Sequence, residues 1–179
     1  MSSLFYFMEA VEDDAIGVGH SSDAYYFDML REGMYYEHWE PVNFRLRDGG
    51  PADYQPNDLG WPLCSPKLKS VIEVGAAPHD RIQWLDAKLV GDDGKDRPYY
   101  VLHLPYRLDA LDKEKTIWDE IFIDTPVLDL RVVNDHRVFS YPGGQFSVIV
   151  NDELKTAIQL ANCTGMEFLP IADIQMEPT

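Results

Sequence analysis

Residues 146–171 read FSVIVNDELKTAIQLANCTGMEFLPI and predict a strand, a capped helix, a turn and a second strand. The apolar, β-branched letters that open this stretch favour a buried strand. Asn151 or Asp152 then caps the helix, because a side-chain oxygen at that position accepts free backbone N–H groups. Leu154 and Ile158 are one helical turn apart, which places both on one face of the helix. The Thr-Gly pair that follows ends the helix before the second strand.

The same order of elements recurs upstream. Residues 65–72 (SPKLKSVI) align with residues 151–158 (NDELKTAI), with a capping residue, a Leu-Lys pair and a branched residue at matching places. Residues 82–85 (IQWL) likewise align with residues 166–169 (MEFL). Two similar helix-plus-strand units would explain these matches, and so would coincidence between two ordinary capped helices. Both explanations stay open, because the sequence offers a single pair of matches.

Strand patterns dominate the rest of the chain. Residues 81–108 predict a hairpin around a turn at 91–95, and residues 116–123 and 127–133 predict one further strand each. Another helix is predicted at 22–32, where a serine precedes an aromatic face and a glycine follows. The sequence therefore predicts an α+β fold, with mostly antiparallel sheet elements and a few short helices.

Composition narrows the class of partner. The chain has 179 residues, which fits one domain, and 31 acidic residues against 15 basic ones, which give a net charge of −16. This balance argues against nucleic acid and anionic membranes as partners, because both are bound through Lys and Arg. It suits a basic protein partner, whose opposite field would accelerate encounter. Acidity that serves solubility alone is the simpler explanation of the composition.

The cysteines and the termini point to a reducing compartment. Cys64 and Cys163 are the only cysteines and lack the spacing of a metal site, so we expect both to be small, buried hydrophobic side chains in a reducing compartment. The N-terminus has no basic region followed by an apolar core, and no apolar run reaches the length of a membrane span. The expected location is the cytoplasm.

The usual signatures of catalysis are missing from the sequence. The five histidines are scattered without metal-ligand spacing, and neither a nucleophile elbow nor a phosphate-binding loop occurs. We therefore predict no catalytic residue, no metal and no cofactor. A hydrolase whose site is assembled from dispersed Asp, Glu and His residues remains an alternative.

Binding residues are predicted in the segment 34–40 (MYYEHWE), where aromatic side chains alternate with carboxylates as hot-spot clusters do. Aromatic rings that pack beneath a loop would produce the same letters. The acidic stretch 109–120 is a weaker candidate, and a solvated loop with its own lysines as partners is the favoured reading. The candidate partner-binding residues are Tyr35, Tyr36, Glu37, Trp39 and Glu40.

Three motifs, taken in order, carry a family resemblance. They are NDLGWPLCSPKL at 57–68, PYYVLH at 98–103 followed by LDALD at 108–112, and the stretch 150–168 described above. Together they resemble immunity protein family eleven of bacterial polymorphic toxin systems over residues 55–171. Residues whose role in the resemblance is structural are Gly60, Trp61, Pro62, Leu154, Gly165 and Phe168; we expect Trp61 in the core.

The resemblance implies a non-catalytic α+β protein of the cytoplasm that neutralises a cognate toxin by direct binding. It divides the chain into a variable N-terminal region at 1–54 that packs on the core, an immunity-protein-like domain at 55–171 and a polar tail at 172–179. Toxin contacts are expected in the N-terminal region and the acidic loops, and the toxin is expected to be basic. A regulatory binding module unrelated to toxins is the alternative.

Overall fold

A computed structural model describes residues 4–22, 29–120 and 122–171. Within these ranges the chain forms twelve strands and three helices. The strands are β1 (Phe5–Ala10), β2 (Val18–Ser21), β3 (Val42–Arg47), β4 (Tyr54–Gln55), β5 (Leu63–Cys64), β6 (Gln83–Val90), β7 (Asp96–His103), β8 (Ile117–Asp119), β9 (Phe122–Thr125), β10 (Val138–Phe139), β11 (Val148–Asn151) and β12 (Met166–Pro170). The helices are α1 (Pro66–Gly75), α2 (Leu130–Val133) and α3 (Asp152–Leu160).

The strands form two large sheets and one separate hairpin. The first sheet has six strands in the order β2-β3-β6-β7-β5-β4, and the second has four in the order β10-β11-β1-β12. Strands β8 and β9 form the hairpin. All described neighbours are antiparallel except β3 and β6. The predicted α+β fold with mostly antiparallel sheets is confirmed.

Helices α1 and α3 pack against each other and against both large sheets. Leu68 and Ile72 of α1 are buried together with Leu154 and Ile158 of α3 in one apolar cluster. Strand residues of both sheets complete this central cluster, among them Tyr6, Met8, Cys64, Leu102, Val148 and Val150. Two further clusters lie on the outer faces of the sheets, one on each sheet. Strand β11 of the four-stranded sheet is buried on both faces, whereas β3 and β6 of the six-stranded sheet alternate buried with exposed residues and have one solvated face.

The two long helices belong to two units with the same strand register. Strands β5 and β6 flank α1 in sequence and both pair antiparallel with β7, while β11 and β12 flank α3 and both pair with β1. The register places Tyr100 of β7 between Cys64 and Asp86. It places Tyr6 of β1 between Val150 and Pro170 in the corresponding way. Strand partners in one unit thus correspond to strand partners in the other at the positions that the sequence alignment matches. This agreement favours two related units over coincidence.

One side-chain contact repeats in both units. The Nζ atom of Lys69 lies 5.1 Å from the centre of the Tyr100 ring, and that of Lys155 lies 3.6 Å from the centre of the Tyr6 ring. The two lysines occupy equivalent helical positions, directly after Leu68 and Leu154. Each cation therefore lies over the aromatic ring of the middle strand of its own unit.

Polar contacts at the helix ends join the units. Lys67, at the start of α1, donates from Nζ to the carbonyl of Asn162 after α3 (2.7 Å). Arg137 donates to the carbonyl of Gly75 at the end of α1 (3.1 Å) and pairs with Glu153 at the start of α3 (2.8 Å). The start of each helix thus lies beside the end of the other, and the two helices run antiparallel.

The N-terminal part of the chain contributes to both large sheets. Strand β1 lies between β11 and β12 in the four-stranded sheet, and β2 and β3 extend the six-stranded sheet from β6. Asp53 then ties the units together, because its carboxylate accepts from Ser65 Oγ (2.6 Å) and from the backbone N–H of Thr164 (3.0 Å). The described residues before position 54 thus include three strands, β1, β2 and β3, that are integral to the two sheets.

Most sequence predictions agree with these elements, and two are wrong. The hairpin predicted at 81–108 is confirmed as β6 and β7, and Asn151 caps α3 through a 2.9 Å hydrogen bond to the N–H of Leu154. The single strand predicted at 116–123 is instead the β8–β9 hairpin, because the chain reverses at Glu120 with a φ of 54°. The helix predicted at 22–32 and the tail at 172–179 fall largely or wholly outside the described residues.

The strand predicted at 127–133 is also wrong, because its second half forms helix α2. Asp129 caps this helical turn by accepting from the N–H of Arg131 (3.0 Å), and the Arg131 guanidinium folds back onto the same carboxylate (2.7 Å). The capping side chain thus favours a helical turn over the strand that the β-branched residues of this short segment predict.

Candidate functional site

The aromatic segment 34–40 is anchored to the six-stranded sheet. The backbone N–H of Tyr36 donates to Gln83 Oε1 (3.1 Å), and Gln83 Nε2 donates back to the Tyr36 carbonyl (2.7 Å). The indole N–H of Trp39 donates to the carbonyl of Asp86 (2.9 Å). Tyr36 and Trp39 stack edge to face, 5.2 Å apart, on the outer cluster of that sheet. These two rings therefore hold the segment in place.

The other side chains of this segment are exposed. Tyr35 is 63% exposed, and Glu37 and Glu40 are exposed on either side of Trp39. Neither glutamate makes a salt bridge within the described chain. The five candidate residues thus divide into two half-buried rings, Tyr36 and Trp39, and three solvent-facing side chains that a partner could reach.

A buried histidine lies beneath the start of the segment. His103 is 2% exposed, and its Nε2 donates to the carbonyl of Met34 (2.5 Å). Burial lowers the pKa of His103, because the charged imidazolium would lose its hydration there. The side chain thus serves as a neutral hydrogen-bond donor that fixes the backbone of the segment.

An open cleft of about 760 Å³ lies between the loop 54–61 and the four-stranded sheet. Glu9 and Asp58 are its acidic lining residues, and Tyr54 and Tyr141 are its phenols. Burial raises the pKa of both phenols, so neither is disposed to act as a base. The cleft has the size of a ligand site but brings no histidine to its described lining.

Asp58 at the rim of this cleft contacts a serine and a histidine in an order unsuited to nucleophilic catalysis. Ser21 Oγ donates to Asp58 Oδ2 (3.2 Å), and His20 Nδ1 lies 3.7 Å from the same oxygen. A catalytic triad requires the histidine to lie between the hydroxyl and the carboxylate, so that it can take the proton of the nucleophile. Here the carboxylate lies between the serine and the histidine. These contacts hold β2 against the loop that contains Asp58.

The fold also brings together His79, Asp80 and His136, whose nitrogen and oxygen atoms lie within 4.8 Å of one another. Asp80 has no exposed side-chain surface, and its Oδ2 accepts from the backbone N–H groups of Ala77 (2.8 Å), Arg137 (3.2 Å) and Val138 (3.1 Å). Its Oδ1 bonds His136 Nδ1 (2.8 Å). The carboxylate is thus fully engaged in joining the turn after α1 to β10.

The two thiols are poor nucleophiles. Burial raises the pKa of Cys64, which is fully enclosed in the central cluster, and that of Cys163, which is partly exposed. The reactive form of a cysteine is the thiolate, and both sites disfavour it.

The β8–β9 hairpin carries exposed apolar surface beside the acidic stretch 109–120. Ile117 and Trp118 are 56% and 48% exposed. The lysines of the stretch have internal partners, as the sequence predicts: Lys113 pairs with Asp109 (2.8 Å) and Lys115 lies 3.8 Å from Asp112. The sequence did not indicate that Trp118 is exposed, because residues 116–123 have the pattern of an ordinary strand.

A family model described as an immunity protein family (Imm11) matches residues 20–173, most of the chain. The chain belongs to this immunity protein family. The resemblance drawn from the three motifs is confirmed, and the match also takes in the segment 34–40. No curated protein matches the sequence. None of the helices in the described ranges is long and apolar enough to cross a membrane.

Two motif residues of this immunity protein, Trp61 and Gly165, are in close contact with other parts of the fold. Trp61 is 2% exposed and packs against Trp39 and Phe44, with ring centres 6.0 and 6.2 Å apart. Its indole N–H has no hydrogen-bond partner among the described residues. Gly165 has a φ of 90°, and a Cβ there would lie 2.3 Å from the carbonyl oxygen of Tyr54, so only glycine fits. These contacts place both residues in the scaffold.

Proposed function

We propose that this immunity protein protects the bacterial cytoplasm by binding a basic toxin of a polymorphic toxin system and covering its active surface. It catalyses no reaction in doing so. Family membership supports the protective role, and the distribution of charge supports the kind of partner. The chemical clusters described above, each built around a carboxylate or thiol with a structural role, favour a binding protein over a hydrolase.

The observation that carries the proposal is an acidic surface that the chain does not neutralise itself. Eleven salt bridges form among the described residues, two of them to histidine, so at least nine of the fifteen Lys and Arg side chains already have carboxylate partners. The 31 acidic residues still exceed the basic ones by 16. The resulting field attracts a cationic protein and repels anionic ones.

The aromatic segment 34–40 is one proposed contact with the toxin. Tyr35 offers a large amphipathic ring at low entropic cost, and Glu37 and Glu40 offer to Lys or Arg carboxylates that form no salt bridge with the described residues. Tyr36 and Trp39 pre-organise these groups through their hydrogen bonds to Met29 and Asp86. A rigid backbone reduces the entropy that is lost on binding.

Co-expression with the product of the neighbouring gene, which the proposal takes to be the toxin, tests the function. We expect the two proteins to co-purify, the toxin's activity to be blocked in the complex, and cells to survive toxin expression only when this protein is present. Association should slow steeply as salt rises, because screening weakens a steering field. Survival without a physical complex, or an association rate insensitive to salt, would contradict the proposal.

Substitution of the exposed side chains tests the contact. We expect the triple variant Tyr35→Ala, Glu37→Gln, Glu40→Gln to lose roughly tenfold or more in affinity for the toxin. The control variant Leu160→Ala, Asp92→Asn, Asp135→Asn changes one exposed apolar and two exposed acidic residues elsewhere. Equal losses in both variants would remove the segment from the interface while leaving the function intact.

A further inference from the structure

The β8–β9 hairpin stands apart from both large sheets. Neither of its strands pairs with another described strand, and an isolated two-stranded hairpin has little stability of its own in water. It is held at its base, where the hydroxyl of Thr116 hydrogen-bonds the N–H (3.2 Å) and the carbonyl (3.3 Å) of Val127. Ile123 adds contact with the outer cluster of the four-stranded sheet. The described contacts thus hold the hairpin at its base and through Ile123.

Two apolar side chains of β8 take no part in the clusters of the described residues. Ile117 and Trp118 are adjacent and about half exposed, and neither belongs to an apolar cluster of the described chain. The strand register shifts between these two residues, and such bulges redirect side chains. A single exposed apolar residue needs no explanation. An exposed tryptophan beside an exposed isoleucine does need an explanation, because tryptophan is among the residues most enriched in binding hot spots.

Carboxylates outnumber lysines in the stretch around these residues. The nearest lysines, Lys113 and Lys115, are occupied by Asp109 and Asp112. The remaining acidic side chains of residues 109–124 are exposed and make no salt bridge among the described residues; they are Glu114, Asp119, Glu120 and Asp124. The exposed apolar pair is therefore accompanied in sequence by four carboxylates that have no salt-bridge partner among the described residues.

We propose that the β8–β9 hairpin is a principal toxin-binding element, with Trp118 as its anchor and the four carboxylates as acceptors for Lys and Arg of a basic toxin face. The inference rests on the proposed function and names its surface. A partner's guanidinium or ammonium group can lie over the Trp118 ring while its neighbours bind the carboxylates. Protection of the open strand edges against aggregation would explain the charges. It would not explain the exposed tryptophan.

The test compares single-residue variants in the same toxin-binding assay, with the product of the neighbouring gene as the probe. We expect Trp118→Ala to weaken the complex roughly tenfold or more, mainly through faster dissociation, and Trp118→Phe to restore part of the affinity. Tyr106→Ala is the control, since Tyr106 is an aromatic residue of similar exposure (56%) on another loop. Thermal unfolding of all three variants should match that of the unmodified protein, because neither ring is part of a core cluster.

A second pair of variants tests whether association depends on the charge of the hairpin or on the total charge of the protein. Asp119→Asn, Glu120→Gln, Asp124→Asn removes three charges from the hairpin, and Asp48→Asn, Asp92→Asn, Asp135→Asn removes three from exposed positions elsewhere. We expect the hairpin variant to associate several-fold more slowly than the control and to show the weaker salt dependence.

The outcomes distinguish the two levels of the proposal. Selective loss in the hairpin variants supports the hairpin as the contact. Full affinity in Trp118→Ala and in the hairpin charge variant overturns this inference, while binding and protection by the unmodified protein still support the proposed function. Failure of the unmodified protein to bind or to protect overturns both.

Discussion

The unit around α1 and the unit around α3 share their register but obtain their middle strand differently. In the α1 unit, β7 follows β6 through a tight hairpin. In the α3 unit, the middle strand is β1, from the opposite end of the chain. The first unit is therefore local in sequence, whereas the second closes only when the two ends of the chain meet. Closing a long loop costs more entropy than closing a hairpin, so the α3 unit depends on the rest of the fold.

The ends of the two middle strands also differ in charge. His103 of β7 is paired with Gln83, and both are buried beneath the aromatic segment 34–40. The corresponding pair in the other unit is Glu9 of β1 and Glu167 of β12, which are exposed. The α1 unit therefore carries a covered, hydrogen-bonded polar end, and the α3 unit an open, acidic one.

The largest effects should come from the helix residues shared by both units. We expect Leu68→Ala and Leu154→Ala each to lower the free energy of unfolding by about 2–5 kcal/mol, because both leave a cavity in the same cluster. Val74→Ala on α1 and Leu160→Ala on α3 are controls, since these side chains are 84% and 77% exposed. Urea unfolding measures the difference. Strongly unequal losses for the two leucines would show that the units do not share the core equally.

A glycine found in the α3 unit alone gives the next effect. Gly165→Ala forces a left-handed backbone conformation on alanine, which costs about 1–3 kcal/mol, and the overlap with the Tyr54 carbonyl adds to this. Gly94→Ala is the control, because Gly94 also has a positive φ (69°) but no atom within 4 Å of the added Cβ. Thermal unfolding should show a much larger drop for Gly165→Ala. Equal drops would mean that backbone conformation alone requires glycine at 165.

The helix caps should differ by a smaller amount. Ser65→Ala and Asn151→Ala each remove a cap that accepts a backbone N–H (3.2 and 2.9 Å), at a cost of about 0.5–2 kcal/mol. We expect the greater loss at Ser65, whose hydroxyl also donates to Asp53 (2.6 Å). Ser70→Ala, at an exposed position within α1, is the control. A greater loss at Asn151 in chemical denaturation would argue that Asp53 does not join the units.

The acidic pair should give the smallest effect, and one of opposite sign. Glu9→Gln removes one of two like charges on directly opposed residues, which should stabilise the protein by about 0.2–1 kcal/mol at low salt. The gain should shrink at high salt because the repulsion is screened. Glu12→Gln, at an exposed loop position, is the control. A gain of equal size in the control would assign the effect to net charge rather than to the strand pair.

Local signals in the sequence predicted the elements whose structure is decided within a few residues. The cap at Asn151, the buried face of Leu154 and Ile158, and the β6–β7 hairpin each depend on neighbours along the chain. The alignment of Leu-Lys pairs offered two similar units as one of two explanations, because equivalent helices need the same buried and capping positions. The family motifs lie in these same segments.

Contacts between distant segments decided the rest. The letters of 116–123 fit one strand, and the reversal at Glu120 follows from docking of Ile123 on a cluster built by other segments. Likewise, only the tertiary structure shows that Tyr36 and Trp39 face inward while Tyr35 and Trp118 face solvent. The identity of an aromatic residue gives its size and polarity, but it does not show whether another part of the chain covers its side chain. Residue spacing therefore determined the capped helices and the hairpin, and burial in three dimensions decided which side chains remain for a partner.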